Sequence, residues 1–589
     1  MNTLKSLFLI FLLAVLPLSM FAQKADLVVY GKIYTANSTD DIAEAMAIKD
    51  GKYLFVGDRK KVRKYIGRQT EVVEHDTNHL ITPGFTDGHA HRFFMDPIND
   101  EHPQDVVSID DSKEDVLRKV GTYLNKHPQV KYLHVQGINN KLCEEPITRD
   151  VLDSISADKP ICILDASGHR GFFNTAALKR AFNPQEMYSF DVDAPLPADF
   201  RMPGGDIFCF AQNHPLAGTI NGYLTEEIMH YVVRHVISPN TDFDTFCKRI
   251  LQIRDVLHSM GYTNYVDAIS NSYTTDIPWR ALKALDDKGE LQMNVVTNYD
   301  LFVWDKQLTK TLDEVADWKE MYSTKHFKPT NIQFFIDGTP QAATALISKP
   351  YFNLKNQNND YCGLQLWDDK ALLNLVVEAN QRGLVCHPHT MGDLAVHKVI
   401  RTYIKAAEIT GKKMRNNVTH VRGISKEDIR LAASFDIAVV GGTMLHAPFF
   451  NNASEWQNFT DEEIAWHGYP LKSIVEGGAR LCSHTETFGV DNTFTSGYRV
   501  LSASVAGTLE PGETPYNPSE LLTPVQALRT MTINGAWQMG LEKERGSIEV
   551  GKYADFTIAD GDILTCEKNK IAAIKILATY FEGKMVNGK

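Results

Sequence analysis

The protein has 589 residues, a length that exceeds one simple domain and leaves room for a large folded unit with additions. Hydrophobic residues make up 43% and charged residues 23% of the chain, as in ordinary soluble globular proteins. The net charge is −12 and no basic stripe is visible, so nucleic acid is not an expected partner.

The first 22 residues form a segment unlike the rest of the chain. Lys5 supplies a positive charge, an apolar run extends from Leu7 to Leu18, and Ala22 stands before a suitable cleavage point. This pattern is typical of a secretory signal peptide, so we expect residues 1–22 to be removed and the protein to be exported to the periplasm or secreted. The alternative, a single membrane anchor, is disfavoured because the run is too short to span a bilayer comfortably. No membrane contact is expected after cleavage.

Short β runs with turn signals fill both ends of the remaining chain. An Asp-Gly pair that ends at Gly51 separates two alternating runs in residues 23–81, and a Glu-Gly pair that ends at Gly583 separates two runs in residues 541–589. Such pairs are hairpin signals. Because the two ends of a domain often lie close together, these segments are predicted to pair into one small β-sandwich.

In residues 82–540, apolar strands alternate with amphipathic helices, and repeated β–α units at this spacing indicate a parallel sheet. One helix is predicted to end at Gly383, and Asp393 can cap the next one. The stretch is longer than a bare barrel of about 250 residues, so an insertion is expected. Residues from about 92 to 230, which are rich in loops, are the best candidate. The predicted fold class is α/β, a TIM-type (β/α)8 barrel with this inserted region.

A histidine pair lies where the first strand of this region ends, in the segment Thr82-Pro-Gly-Phe-Thr-Asp-Gly-His89-Ala-His91. Side chains two residues apart on a strand point to the same side. Two neutral imidazoles in this arrangement can share one divalent ion, with Zn–N distances of about 2.0–2.1 Å. TIM barrels keep their active sites at this end of the strands, so His89 and His91 are candidate metal ligands.

Two later strands also end on histidine, each directly before a helix. The first carries His387 and His389, and the second carries His420. A lone histidine at such a place is usually structural, but two of them in successive β–α units after a His-x-His pair favour metal ligation. His387 and His389 lie on one face, so one of them can be a spectator. His389 is favoured as the ligand because it is nearer the strand end.

Several segments resemble known motifs. PGFTDGHAH looks like the first-strand motif of the amidohydrolase superfamily, and HTMGD is similar to a His-x-x-Gly-Asp motif of the branch that contains N-substituted formamide deformylase (amidohydrolase 3 type). LDASGHRGFFNTAAL and GTINGYLTE resemble insertion motifs of that branch, and the segment from Leu522 to Asp560 resembles the C-terminal signature of the superfamily. The similarity covers essentially the whole chain after residue 22.

The resemblance implies a hydrolase on a TIM-type barrel that uses a metal-activated water to attack a carbonyl carbon. The implied metal ligands are His89, His91, His389 and His420. His169 would face a small-molecule substrate from the insertion. The expected reaction is hydrolysis of a C–N bond of the amide, N-acyl or N-formyl type. Zn is the expected ion, although histidine-rich ligation also suits Fe, Ni or Cu.

Two positions depart from the family pattern, and they are the candidate catalytic residues. Gln333 stands where a lysine is usually carboxylated to bridge two metals, and His484 stands where an aspartate usually binds metal and moves the proton. Gln333 cannot be carboxylated, so one ion is expected rather than two. His484 is expected to act as ligand or base, because imidazole binds metals and titrates near neutral pH. Glu486, two residues later, is an alternative base.

Other polar residues at strand ends have weaker signals. His446 ends the candidate for the seventh strand and is a second candidate for substrate contact, and Asp267 is expected to support a ligand. Asp87 and Asp337 are expected to fix loops.

The sequence leaves two alternative functions open. The residues at positions 333 and 484 motivate a catalytically silent relative that uses its barrel to bind a ligand. A metal-dependent enzyme of another reaction, such as an isomerase, is also open because a fold does not fix its chemistry. A homo-oligomer is compatible with the sequence.

Overall fold

The computed structural model describes residues 23–93, 103, 106–139, 142, 145–186, 188–197, 200, 202–236, 242–268, 276–351, 360–448, 468–487, 495–510 and 512–588. The predicted signal peptide, residues 1–22, lies outside the described residues and stays a prediction. Within the described ranges, no helix combines the length and the apolar character that crossing a membrane requires.

Strands occur along the whole described chain. In chain order they are β1 (Leu27–Tyr34), β2 (Ile42–Lys49), β3 (Lys52–Gly57), β4 (Glu71–Glu74), β5 (Leu80–Pro83), β6 (Phe85–Ala90), β7 (Leu133–Ile138), β8 (Ile161–Asp165), β9 (Arg170–Phe173), β10 (Ile207–Cys209), β11 (Ile220–Thr225), β12 (Tyr262–Asp267), β13 (Asn294–Asp300), β14 (Phe327–Gln333), β15 (Val385–Cys386), β16 (His389–Thr390), β17 (Asn417–His420), β18 (Ala438–Gly441), β19 (Arg480–Ser483), β20 (Phe556–Ala559), β21 (Ile576–Phe581) and β22 (Lys584–Gly588).

Among the described residues, the α-helices begin after the first six strands. In chain order they are α1 (Lys113–Lys126), α2 (Arg149–Asp153), α3 (Thr175–Ala181), α4 (Glu226–Val236), α5 (Phe243–Ser259), α6 (Ile277–Asp287), α7 (Leu308–Tyr322), α8 (Asp369–Gln381), α9 (Asp393–Thr410), α10 (Lys426–Phe435), α11 (Leu471–Glu476), α12 (Gly497–Val505), α13 (Pro524–Met531) and α14 (Ile533–Gln538).

The two ends of the described chain meet in one eight-stranded sheet, in the order β22-β21-β20-β5-β1-β2-β3, with β4 beside β1. Antiparallel pairing of β5 with β20 joins the ends, and in it Ile81 is paired with Ile558. Both side chains are fully buried, so the two ends share one apolar core. The ends therefore pair with each other, whereas the division of this sheet into two sandwich layers stays a prediction.

Both predicted hairpins form in this sheet. Asp50 and Gly51 connect β2 to β3 with φ angles of 49° and 78°, and Glu582 and Gly583 connect β21 to β22 with φ angles of 48° and 73°. Two successive positive φ angles define a turn of the I′ type, whose twist matches that of the strands. Glycine at the second position takes this conformation without a steric cost.

The strands that end on the histidine motifs run parallel in two sheets, β15-β14-β13-β12-β6 and β16-β17-β18-β19. A bridge between Phe335 and His389 joins the two sheets. Helices α6 to α11 connect successive strands from β12 to β19, and each returns the chain to the start of the next strand. The result is a mixed α/β fold with a curled parallel sheet, consistent with a barrel, in which the carboxyl ends of the strands meet on one side.

Helix ends in this region follow their local chemistry. Gly383 adopts a φ of 70° just after α8, as expected for a helix stop. The expectation that Asp393 caps α9 is wrong, because Gly392 is at the cap position and Asp393 is the first helical residue. The carboxylate of Asp393 instead accepts hydrogen bonds from the backbone N–H and the hydroxyl of Ser348, so both oxygens hold the loop after β14.

Between β6 and β12 the chain forms a unit with its own five-stranded sheet, in the order β10-β11-β9-β8-β7. It occupies the predicted insertion and continues through α4 to Val236. The described part of this region is rich in loops, as expected, but it also contains this sheet, which the sequence did not predict, and apolar clusters cover both faces of the sheet, one containing Phe172 and the other Phe173. The strands have only three to six residues, too short an alternation to be recognised in the sequence.

Candidate metal centre

Five buried histidines meet at the carboxyl ends of the parallel strands. They are His89 in β6, His91 directly after it, His389 in β16, His420 in β17 and His484 directly after β19. The ring centroids of His89 lie 4.9 Å from His91 and 4.8 Å from His420. The ring of His420 lies 4.4 Å from His389 and 5.2 Å from His484. The fold thus brings the four predicted ligands and His484 together.

One carboxylate, that of Glu486, lies among these rings. Its Oε1 is 3.2 Å from Nε2 of His91. Its Oε2 is 3.2 Å from Nδ1 of His420, 3.4 Å from Nδ1 of His484 and 3.6 Å from Nε2 of His89. Two groups of candidate ligands, His89–His91–Glu486 and His420–His484–Glu486, share this carboxylate, and the ligand atoms of each group lie within 4.8 Å of one another.

Backbone strain accompanies this arrangement at the ends of two strands. His420 and Val421 have φ angles of 70° and 44°, and Glu486 has a φ of 56°. The left-handed region costs a residue with a Cβ roughly 1–2 kcal/mol. Such outliers concentrate at functional sites, where the surrounding structure maintains them.

The protonation states of the site suit a bound cation. Burial lowers the pKa of His484 to about 3 and holds the pKa values of His89 and His389 well below their usual range. Burial alone would raise the pKa of Glu486, but His420 and His89 outweigh it, and that pKa lies well below its usual range. Neutral imidazoles around an ionised carboxylate are the forms in which these side chains bind divalent metals.

Several buried atoms of the site lack a hydrogen bond within the described part of the chain. They are Nδ1 of His420, both ring nitrogens of His484 and Oε2 of Glu486. Leaving a buried polar atom unsatisfied costs about 1–3 kcal/mol. A divalent ion bound by Nδ1 of His420, one ring nitrogen of His484 and Oε2 of Glu486 would satisfy these three atoms, so the donors present fit the metal expected from the sequence.

His387 and His389 differ in their contacts. Nε2 of His387 lies 2.7 Å from Nδ1 of His89, in a hydrogen bond whose donor depends on the tautomer. His387 therefore orients the ring of His89 through Nδ1, while Nε2 of His89 faces Glu486. Nε2–H of His389 donates to the carbonyl oxygen of Gly338 at 3.2 Å, which leaves Nδ1 on the opposite side of the ring. The role of His389 as a ligand stays a prediction.

The other two predicted positions on the parallel strands carry no charge. Gln333 is buried at the end of β14, and its Oε1 accepts a hydrogen bond from Nδ2 of Asn298 at 3.2 Å. Its neutral amide provides no anionic bridge between two ions. His446 lies in a short turn after β18, and burial lowers its pKa to about 4. Among the described residues no hydrogen bond reaches either ring nitrogen of His446, and its contact with substrate stays a prediction.

The insertion brings His169 to the same site. This residue lies between β8 and β9, and its ring centroid is 5.2 Å from that of His389. Its Nδ1 is 2.6 Å from Oε2 of Glu226, the first residue of α4. Burial lowers the pKa of His169, but Glu226 outweighs burial and the pKa is raised. Burial likewise raises the pKa of Glu226, but His169 outweighs it and the pKa is lowered, as in an ion pair.

Buried carboxylates fix the loops around the centre. Asp337 accepts hydrogen bonds from three backbone N–H groups of the loops that follow β14 and β16. Asp87 accepts hydrogen bonds from the backbone N–H and the hydroxyl of Thr485. Burial raises the pKa of Asp337 to about 7 and that of Asp87 to about 6. Asp267 accepts a hydrogen bond from the N–H of Phe93 at 3.1 Å, next to the His89–His91 segment.

Sequence reasoning missed Glu226 and gave Glu486 only the role of an alternative base. Glu226 is the last residue of the segment GTINGYLTE, whose resemblance to a family motif was a usable signal. Its partner His169 is 57 positions away, so their contact depends on the fold of the insertion. The position of Glu486 depends on its positive φ, which the residue type does not predict.

Known proteins resemble this chain over nearly its whole length. Residues 77–587 match the Amidohydrolase family. N-substituted formamide deformylase of Arthrobacter pascens is 23% identical over 577 residues, which cover 95% of this chain and 98% of that protein. Putative amidohydrolase YtcJ of Bacillus subtilis strain 168 is 24% identical over 574 residues, with coverage of 95% and 98%.

Solved structures share the fold. An uncharacterized metal-dependent hydrolase from Pyrococcus horikoshii OT3 aligns with a TM-score of 0.64 and 18% identity, over 92% of this chain and 99% of that chain. A metal-dependent hydrolase from Pyrococcus furiosus aligns with a TM-score of 0.62 and 18% identity, over 92% and 100% of the two chains. At this identity the likeness concerns the fold alone. Since the family match spans most of the sequence, the protein belongs to the amidohydrolase family.

Proposed function

We propose that the protein is an exported, metal-dependent amidohydrolase that hydrolyses a C–N bond of the amide, N-acyl or N-formyl type in a small molecule. The family match supports a hydrolase, and the similarity to a formamide deformylase supports a C–N bond as its target. The observation that carries the proposal is the cluster of buried histidines around Glu486. Export rests on the pattern of the first 22 residues.

The proposed scaffold is a closed TIM-type barrel with a β-sandwich beside it. Closure is supported where the first and last parallel strands meet, because Gly88 in β6 lies against the backbone carbonyl of Ser483 in β19. The sandwich is supported by a bridge between Lys52 and Tyr553, which links β3 to the segment before β20. The sheet of the two ends therefore curls round its own apolar core.

The proposed cofactor is one divalent ion, with Zn favoured by the histidine-rich donor set. The residues that would hold it are His89, His91, His420, His484 and Glu486, and His389, whose ring centroid lies 4.4 Å from that of His420, is proposed as a further ligand. One ion is proposed because Gln333 is neutral and provides no anionic bridge to a second ion. Such an ion supplies Lewis-acid polarisation of a carbonyl group and activation of water.

The chain itself binds and orients the substrate. His169 approaches the centre from the insertion, and His446 lies at the end of a neighbouring strand. We assign substrate contact to both residues. We assign His484 to the ligand set, because its Nδ1 faces Glu486 at 3.4 Å together with Nδ1 of His420. Asp87 and Asp337 keep the loops that carry these residues in place.

Metal content and turnover test the proposal together. Protein purified without a His-tag or chelator is expected to hold about one equivalent of Zn and to hydrolyse members of a panel of N-formyl and N-acyl amines. Chelation should abolish turnover and Zn should restore it. The variant His235→Asn is a control, because it removes a histidine that is paired with Glu186 outside the cluster. It should keep the metal content and turnover of the wild type. A metal-free protein without turnover on the panel would reject the proposal.

Ligand binding without catalysis is a second candidate function. Gln333 and His484 favour it, because they replace residues that the family uses for metal bridging and proton transfer. Tight binding of a small molecule that survives chelation, with no turnover before or after Zn is added, would support this reading.

A further inference from the structure

The pair formed by His169 and Glu226 connects two parts of the insertion. Nδ1 of His169 lies 2.6 Å from Oε2 of Glu226, and the backbone N–H of Glu226 donates to the carbonyl oxygen of His169 at 2.9 Å. The side chains of His169 and Glu226 are only 10% and 1% exposed. His169, in the loop between β8 and β9, and Glu226, at the start of α4, are thus joined by two contacts, one between their side chains and one between their backbones.

The second oxygen of Glu226 reaches the parallel sheet. The hydroxyl of Thr344 donates to Oε1 of Glu226 at 2.6 Å, and that hydroxyl also accepts from the N–H of Thr339 at 3.1 Å. The two oxygens of one carboxylate therefore hold an insertion residue and a residue of the loop after β14. Glu226 is placed in this way although its φ of 53° is unfavourable for a residue with a Cβ.

The same loop also fixes a histidine of the metal centre. The carbonyl oxygen of Gly338 accepts a hydrogen bond from Nε2–H of His389 at 3.2 Å. A Cβ at Gly338 would lie 2.3 Å from Oε1 of Glu226, so the absence of a side chain there lets the carboxylate approach. The loop after β14 therefore holds His389 directly and His169 through Glu226. The ring centroids of the two histidines are 5.2 Å apart.

We propose that Glu226 is a positioning residue that fixes the orientation of the His169 ring. Nδ1–H donates to Glu226, and Nε2, on the opposite edge of the ring, is presented to the substrate. This inference rests on the proposed function, since it places a substrate between the insertion and the metal centre. Glu226 acts through His169 and does not itself touch the substrate.

The next residue, Glu227, provides a matched control. It is as deeply buried as Glu226 and starts the same helix. Its Oε2 accepts a hydrogen bond from the N–H of Val303 at 2.8 Å, and among the described residues it has no hydrogen bond to His169. Replacing Glu226 or Glu227 by leucine therefore removes a carboxylate from neighbouring buried positions. Only Glu226 is hydrogen-bonded to His169 among the described residues.

The experiment compares Glu226→Leu, Glu226→Gln and Glu227→Leu in the full-length, metal-loaded protein. Crystal structures of the three variants and the wild type report the ring orientation of His169, and kcat and KM report its effect. Glu226→Leu removes both acceptors, so the ring should rotate and kcat should fall about 10- to 100-fold, because misplacing a group by about 1 Å has this order of effect. Glu226→Gln keeps one acceptor oxygen and should retain the ring orientation with a smaller loss. Metal content should be equal in all of them.

The ring orientation separates this inference from the proposed function. If the wild type shows no turnover, the proposed function fails, while a ring that rotates in Glu226→Leu and stays fixed in Glu227→Leu still supports the positioning role. An unchanged ring in Glu226→Leu would overturn the inference. Equal losses of kcat in Glu226→Leu and Glu227→Leu would also overturn it, since they would reflect a general disturbance of α4.

Discussion

Glu486 is the residue on which the charges of the candidate site converge. Its Oε2 faces ring nitrogens of His89, His420 and His484 within 3.6 Å, and its side chain is 23% exposed. Without its negative charge, the donor set would consist of imidazole rings alone and would contain no anionic ligand. A divalent cation is held much more strongly when an anionic ligand is present, because the charge interaction adds to the coordination bonds.

Replacing Glu486 by glutamine is therefore expected to weaken metal binding by about tenfold or more, since losing even an outer partner of a metal ligand costs 10- to 100-fold. Glutamine keeps the size of the side chain and removes its charge. Competition with a chromophoric chelator measures the change in affinity. Glu542→Gln is the control, because Glu542 is paired with Arg415 and belongs to neither group of candidate ligands. Wild-type affinity in Glu486→Gln would show that the carboxylate is not a ligand.

Gly338 gives a second prediction about a single residue. A Cβ there would lie 2.2 Å from the hydroxyl of Thr344 and 2.3 Å from Oε1 of Glu226, closer than atoms can approach. Gly338→Ala is expected to destabilise the protein by about 1–3 kcal/mol through overpacking. Urea unfolding measures the loss. Gly121→Ala is the control, since a Cβ at Gly121 in α1 meets its nearest atom at 3.6 Å. Equal stability of the two variants would contradict the predicted clash.

Single residues also show what the sequence can and cannot predict about the site. The positions of His89 and His91 follow from the two-residue period of a strand, which depends only on local geometry. The contacts of Glu486 depend on a left-handed turn after β19, and those of Glu226 depend on a loop of another sheet. Long-range contacts of this kind require the whole fold, so one sequence predicts the histidines but not the contacts that Glu486 and Glu226 make with them.

At the scale of elements, His326 connects the parallel sheet to the sheet of the two ends. It directly precedes β14, and its Nδ1 lies 2.6 Å from Oδ1 of Asp286 in α6. Its Nε2 lies 3.0 Å from Oε1 of Glu582 in the turn between β21 and β22. Both ring nitrogens can donate only when the imidazole is protonated. The junction is therefore strongest with a charged histidine.

The His326 junction predicts a pH dependence of stability. Burial lowers the pKa of His326, but Asp286 and Glu582 outweigh it and raise that pKa above 6.5. A raised pKa in the folded state gives stability that is complete below pH 6.5 and is lost as the pH rises through the folded value. The wild type should exceed His326→Gln by about 1.5–3 kcal/mol below pH 6.5, and the difference should shrink at higher pH. Urea unfolding at several pH values measures it.

A more exposed histidine provides the comparison for this prediction. His397 also contacts a carboxylate, that of Asp428, but its side chain is 40% exposed, and solvent screens such pairs. His397→Gln should therefore change stability by less than His326→Gln. A difference between wild type and His326→Gln that grows with rising pH would contradict the assigned sign.

Elements also differ in how far the sequence predicts them. The strands and helices from α8 to β18 have long apolar periods and clear stops such as Gly383, and the sequence predicts them. The sequence does not predict the sheet of the insertion, because β9 and β10 have four and three residues and β9 pairs with β11, a strand far along the chain. Short strands derive their stability from tertiary packing, which leaves little trace in local patterns.

At the scale of the whole molecule, the sheet of the two ends closes the described chain on itself. β20 lies between β5 and β21 and buries Phe556 and Ile558 completely. The hydroxyl of Thr579 in β21 donates to the carbonyl oxygen of His258 in α5 at 2.6 Å. By contrast, β22 is the edge strand, and no residue in it is fully buried. β20 and β21 are therefore expected to contribute much more to the stability of the fold than β22 does.

Two truncations separate these contributions. A chain that ends at residue 583 loses only β22 and should fold, with a modest drop in melting temperature, because the edge strand covers little apolar surface. A chain that ends at residue 555 also loses β20 and β21, which leaves Ile81 without its partner and β5 as an open edge. Open apolar edges pair with other chains, so this chain should accumulate as aggregate. Soluble yield and thermal unfolding followed by circular dichroism measure both outcomes.

Cooperative unfolding of the shorter chain at the wild-type temperature would mean that the parallel-sheet region folds without the ends. The pairing of β5 with β20 would then be an accessory to the fold, since the strands carrying the histidines would be held by their own core.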